Sequence, residues 1–264
     1  MIDIQKARAA FKDFLDKYDD KNELGFELKV THTYHVVENA KAIARDLNLS
    51  DEDIKLAELI GLLHDIGRFD EITFLKQFDS VNFDHASYGV KMLFEDNMIR
   101  NFIEDTSYDE IIKAAIYNHS RFYIEDGLDE RALLHARIIR DADKLDNFRV
   151  KKEEKIEAIF PGIITSKEDL ENSLLSDKVY ESVKRNVTVD IHDRVTPLDY
   201  WVCVIAFIFD LNFKKSFMVV SDNNYVNIMI DRFKYCDKKT QIKMEHIRSV
   251  LNEFICWKID SNQN

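Results

Sequence analysis

An apolar run, Ile54-Lys55-Leu56-Ala57-Glu58-Leu59-Ile60-Gly61-Leu62-Leu63, leads directly into His64-Asp65. The run predicts a core helix, and that helix ends on two titratable side chains. Such a pair at the end of a buried helix costs free energy unless something satisfies it. A metal ion would do so. Adjacent imidazole and carboxylate groups point in different directions, so they can serve two metal positions, or one metal and a bridge. The fold then has to bring further ligands to this helix end.

Helical spacing recurs along the chain. Ala7, Ala10, Phe11, Phe14 and Leu15 predict a helix over 4–18, followed by a polar connection over 19–23. Val36, Val37, Ala40, Ile43, Ala44 and Leu47 predict a second over 31–47, with His32 in its first turn. Ser50, with Asp53 three residues on, starts the helix that ends at His64-Asp65-Ile66-Gly67, where Gly67 reads as the residue after the cap. The stretch 68–83 reads as aromatic and irregular. Asp84 starts a helix over 85–97, and Asp109 starts one ending at Asn118-His119. A turn at Asp126-Gly127 precedes a helix over 129–148. The charged segment 151–155 reads as a solvated face or a junction. Helical patterns return at 167–186, 197–212 and 224–257, with Trp201, Phe207 and Phe209 as a core stripe. No period-2 alternation is sustained before residue 150. The chain has only 6 Gly and 2 Pro, so the expected class is all-α. The expected organisation is a core over 1–150 and a helical C-terminal extension over 151–264 packed on it.

Composition narrows the function. The net charge of -12 disfavours a nucleic-acid polymer as partner, because phosphate contacts need clustered Lys and Arg. It leaves room for a small phosphorylated substrate. The three cysteines, Cys203, Cys236 and Cys256, are widely spaced and form no C-x-x-C, so neither a disulfide framework nor a thiolate zinc site is expected. The longest apolar run, 200–209, is too short to span a membrane. With no signal-peptide pattern at Met1–Lys6, a cytoplasmic location is the expectation.

Several histidines fall at predicted helix ends: His32, His64, His85 and His119. Asp143 lies in Arg140-Asp141-Ala142-Asp143-Lys144-Leu145-Asp146, inside an otherwise apolar helix. The order His…His-Asp…Asp is carried by Thr31-His32-Thr33-Tyr34, Leu63-His64-Asp65-Ile66-Gly67-Arg68 and Asp141-Ala142-Asp143-Lys144-Leu145-Asp146. Over residues 20–150 it resembles the HD-domain superfamily of metal-dependent phosphohydrolases. The resemblance implies a metal-binding catalytic core over 1–150, with His32, His64, Asp65 and Asp143 as ligands of a first metal. His85 and His119 fall where binuclear members place ligands of a second, with Asp65 bridging. His35, one turn from His32, is a rival to it. His135, His192 and His246 have no such context. The C-terminal part, from 151 onward, matches no family pattern.

Histidine and carboxylate ligands without thiolates suit Mn, Fe, Co, Ni, Zn or Mg ions, one or two per chain. A metal-bound hydroxide would be the nucleophile on a phosphoester or phosphoanhydride, and a cation would stabilise the phosphoryl oxygens. Arg68 and Lys144 are the substrate-binding candidates, each with a plain alternative as a salt-bridge partner. The expected substrate is a nucleotide or another small phosphorylated metabolite, with no membrane partner and room for a homodimer. Two other functions fit the same ligand set: an HD-fold di-iron oxygenase, and a nucleotide-sensing module without turnover.

Overall fold

A computed structural model describes residues 1–18, 24–74, 83–160 and 162–261. The connection expected over 19–23, the stretch 75–82 and Pro161 lie outside the described residues. Every regular element among those described is helical, so the chain is all-α. No helix among them is long and apolar enough to cross a membrane. The chain divides into two compact units, Met1–Asp146 and Asn147–Asn264.

The first unit contains α1 (Ile4–Leu15), α2 (Leu24–Asp46), α3 (Asp51–Leu63), α4 (Ile66–Phe74), α5 (His85–Val90), α6 (Asp109–Asn118) and, up to Asp146, α7 (Glu130–Glu153). Asp3 starts α1 by accepting from the backbone N–H groups of Gln5 and Lys6, each at 3.0 Å. The buried stripe of α1 includes Phe11 and Phe14, which meet Phe69 of α4 edge-on at 5.9 Å each. Ser50 caps α3 by accepting from the N–H of Asp53 at 3.1 Å. The Asp53 carboxylate also accepts from Arg131 (2.7 Å) and from Nε2 of His135 (3.1 Å), which ties the start of α3 to α7.

Four local expectations change. α2 begins at Leu24, so His32 sits in the helix body and not in its first turn. α3 stops at Leu63, and the chain restarts as α4 at Ile66, so Gly67 is an internal helical residue rather than the residue after a cap. The restart is driven by Ile66, Phe69 and Ile72, all buried at helical spacing. These residues also replace the irregular reading of 68–74. Gly67 is needed for a close approach instead. A Cβ there would stand 2.5 Å from the carbonyl oxygen of His85 and 2.9 Å from the amide of Gly89. The expected helix over 85–97 holds to Val90, with Asp84 as its cap, and then widens to a π-helical turn over Lys91–Glu95.

The second unit comprises α8 (Ile156–Ile159), α9 (Lys167–Glu171), α10 (Asp177–Lys184), α11 (Pro197–Ile205), α12 (Lys214–Asp222), α13 (Tyr225–Asp231) and α14 (Lys238–Asp260). The long helical patterns of its sequence break at polar caps. Asp199, fully buried, accepts from the N–H groups of Ser176, Val195 and Thr196, each at 3.0 Å. One carboxylate thus satisfies backbone donors before both α10 and α11. Asp237 caps α14 through the N–H of Thr240 at 2.7 Å. Trp201 centres the core: its indole N–H donates to the Met229 carbonyl at 3.2 Å, and Phe233 meets it edge-on at 4.9 Å. Lys151, from the charged segment, is buried.

Candidate metal centre

Five segments of the first unit bring side chains together. α2 contributes Lys29 and His32, three residues apart and therefore on one face. The α3–α4 junction contributes His64 and Asp65. His85 opens α5, His119 follows the last residue of α6, and Asp143 and Asp146 share a face of α7. His32, His64, Asp65, His85 and His119 are all buried. His35 is exposed, so the helix turns its rival His32 inward and His35 to solvent.

The imidazoles are oriented by their outer nitrogens. Nδ1 of His64 lies 2.8 Å from the Gly61 carbonyl, and Nδ1 of His119 lies 2.6 Å from that of Ile116. A carbonyl oxygen can only accept, so Nδ1 carries the proton in both rings and Nε2 keeps a lone pair. Nδ1 of His32 lies 2.7 Å from Oδ2 of Asp146, and this carboxylate sets the same tautomer. The Asn39 amide donates to the Ala142 carbonyl at 3.1 Å, which fixes α7 against α2 beside Asp143. The guanidinium of Arg140 donates to the carbonyls of Asn118 (2.7 Å), Arg121 and Phe122 and so pins the chain that follows His119.

The inner nitrogens divide between the two oxygens of Asp65. Oδ2 faces Nε2 of His64 at 3.3 Å and of His32 at 3.6 Å. His32 Nε2 also lies 3.1 Å from Oδ1 of Asp143. Oδ1 of Asp65 faces Nε2 of His85 and of His119, each at 3.4 Å, and those two nitrogens are 3.1 Å apart. Nε2 of His32, Nε2 of His64 and Oδ1 of Asp65 are buried without a hydrogen-bond partner. Buried polar atoms left without hydrogen bonds that converge in one pocket fit a divalent cation, and an all-nitrogen-and-oxygen donor set fits a borderline or hard ion. Two groupings satisfy metal-ligand spacing: His32, His64 and Asp143, and His64, Asp65 and His119, the ligand atoms of each lying within 4.8 Å of one another. His64 thus belongs to both groupings, whereas the resemblance implies it for the first metal alone. His85 closes a triangle with Asp65 and His119.

Cations flank the same carboxylate. Lys29, absent from the sequence-based candidates, places Nζ 2.7 Å from Oδ2 of Asp65. Arg68 places Nε 3.9 Å from Oδ1 and donates from its guanidinium to the fully buried Glu71 at 2.7 Å. Lys144 is buried and stands about 100° round α7 from Asp143, away from the face shared by Asp143 and Asp146. His135 is used at the α3–α7 contact, and His192 and His246 are exposed.

Burial disfavours charge on every group here, and the neighbours decide which groups keep it. Burial raises the pKa of Asp65, yet the Lys29 ammonium and the surrounding histidines outweigh it and hold the carboxyl well below the usual range. Asp143 is likewise lowered against its burial, chiefly by His32. Burial and Lys29 lower His32, but the carboxylates of Asp143, Asp146 and Asp65 push it up to about 9. His64 is lowered by burial. His85 is held well below its ordinary value by burial and by Arg68, so its nitrogen is a neutral donor at physiological pH. The carboxylates of Asp65 and Asp143 are thus held ionised beside the neutral rings of His64 and His85.

A family model described as HD domain matches residues 30–147. That span begins just before His32 and ends just after Asp146. The chain matches no curated protein and no solved structure.

Proposed function

We propose that this protein, whose residues 30–147 belong to the HD-domain superfamily, is a metal-dependent phosphohydrolase acting on a nucleotide or another small phosphorylated metabolite. One observation carries the reading: the orphaned nitrogens of His32 and His64 and the orphaned oxygen of Asp65 meet in one buried pocket. His32, His64 and Asp143 would hold one divalent ion; Asp65 and His119, with His64 and His85 beside them, would hold a second. Ions bound there supply Lewis acidity and activate water at neutral pH.

The chain's own groups do the rest. Asp146 and the carbonyls of Gly61 and Ile116 keep three imidazoles in one tautomer, so the donor atoms need no reorganisation. Glu71 holds Arg68 beside Asp65, where a guanidinium stabilises charge developing on phosphoryl oxygens. The net charge of -12 favours a small substrate over a nucleic-acid strand.

Anaerobically purified protein, analysed for metal and screened with Mn²⁺ or Co²⁺ against phosphorylated metabolites, tests the reading. Phosphate release that Asp65→Ala abolishes is the expected result. No release with any divalent ion would overturn it, as would a mixed-valent iron EPR signal accompanied by oxygen consumption.

A further inference from the structure

We propose that Arg121 is the positioning residue of the second ion site: its guanidinium ties the segment after His119 to the start of α5 and so holds His85 opposite His119. The inference rests on the two-ion centre of the phosphohydrolase reading and adds to it a residue from outside the ligand set.

The four histidines are not held alike. The outer nitrogens of His32, His64 and His119 each meet an acceptor. Among the described residues, the side chain of His85 makes its polar contacts through Nε2, to Oδ1 of Asp65 at 3.4 Å and to Nε2 of His119 at 3.1 Å. Its place therefore depends on where the backbone of α5 begins. Asp84 caps that start: its Oδ1 accepts from the N–H of Ser87 at 3.0 Å and its Oδ2 from the Ser87 hydroxyl at 2.7 Å. Nη2 of Arg121 donates to the same two side chains, to Oδ2 of Asp84 and to Oγ of Ser87, each at 3.1 Å. His85 lies between Asp84 and Ser87 in the chain, and Arg121 stands two residues after His119. One guanidinium thus bridges the backbone on either side of His85 and the backbone that carries His119.

A partly exposed ion pair contributes little by itself. Arg121 is fixed by more than the pair. Its guanidinium lies over the ring of Tyr117 in α6, 3.8 Å from the centroid, and a planar guanidinium suits such a face better than an ammonium does. Its own backbone carbonyl accepts from Arg140. Other contacts of α5 serve a different end. Tyr88 donates to Asp70 of α4 at 2.8 Å, and Gly89 lies close to Gly67, so these set α5 on α4. The Arg121 contact sets the start of α5 relative to His119.

The test titrates Mn²⁺ by calorimetry into wild type, Arg121→Met, His85→Ala and the double variant. Arg121→Met keeps an apolar stem over Tyr117 and removes the donors. It should bind the ion of His32, His64 and Asp143 as wild type does and bind the second about tenfold or more weakly. Arg121→Lys, which keeps a charge for Asp84, should recover part of that loss. In the His85→Ala background Arg121→Met should change nothing further, because the ring it positions is gone. Equal weakening of both ions, or a further loss in the double variant, would make Arg121 a general support of the fold and overturn the assignment. Should Arg121→Met fail to fold, Ser87→Ala keeps the arginine and removes one of its two acceptors. It should weaken the second ion alone, and wild-type affinity there would overturn the tether. A wild type that takes up a single Mn²⁺ would overturn the two-ion centre, and Arg121's role with it. Two ions in wild type, held as tightly in Arg121→Met, would overturn the role alone.

Discussion

Nδ1 of His32 stands 2.7 Å from Oδ2 of Asp146, while Nε2 of the same ring stands 3.1 Å from Oδ1 of Asp143. Two aspartates three residues apart on α7 thus flank the two nitrogens of one imidazole. The outer one fixes the tautomer and raises the basicity of the inner nitrogen. Asp146→Asn should therefore lower metal affinity by roughly 10–100-fold without removing a ligand. Competition titration against a chelator of known affinity measures this. Affinity equal to wild type would show that Asp146 only fills space.

The metal count is a second test. Oδ1 of Asp65 has His85 and His119 at 3.4 Å, and Oδ2 has His64 and His32. Asp65→Ala removes the shared carboxylate and should empty both positions. His85→Ala should leave one ion per chain where wild type holds two. Elemental analysis of desalted protein counts them. Two ions retained in His85→Ala would place the second ion on His64, Asp65 and His119 alone.

Much of this centre is legible in the chain because chemistry restricts what can stand at a buried helix end. His64-Asp65 after ten mostly apolar residues has few meanings, and the order of His32, His64-Asp65 and Asp143 supplies the rest. Lys29 is not legible in the same way. It is one of 37 Lys and Arg residues, and its burial follows only from where α2 begins. Asp146 carries a weak signal, since its spacing from Asp143 puts the two on one helical face. Gly67 reads as a helix stop in the sequence because a glycine after a polar pair resembles one. The competing signal, Ile66, Phe69 and Ile72 at helical spacing, starts α4 there instead.

Gly67 leads to a third prediction. A Cβ at this position would lie 2.5 Å from the His85 carbonyl oxygen and 2.9 Å from the Gly89 amide, both backbone atoms that cannot step aside alone. Gly67→Ala must push α4 away from α5. His85, the first residue of α5, would move with it, away from Asp65. The variant should lose about 1–3 kcal/mol of stability, the usual cost of overpacking. It should also resemble His85→Ala in binding only one ion tightly. Denaturant titration and metal counting read the two effects. Ala tolerated with full metal content would show that α4 and α5 can separate without disturbing His85.

Metal loading should also appear as stability. The pocket buries three polar atoms without hydrogen bonds, on His32, His64 and Asp65, and keeps two ionised carboxylates largely out of water. An ion relieves both strains in the folded chain, and the ligands are dispersed when the chain unfolds. At an ion concentration 100 times Kd, one site contributes about 2.7 kcal/mol. In a domain of this size that raises Tm by roughly 5–10 °C. A chelator should reverse the shift, and Asp65→Ala should show none. Scanning calorimetry with and without Mn²⁺ provides the measurement. An equal rise in wild type and Asp65→Ala would mean that the ion stabilises the chain somewhere other than this pocket.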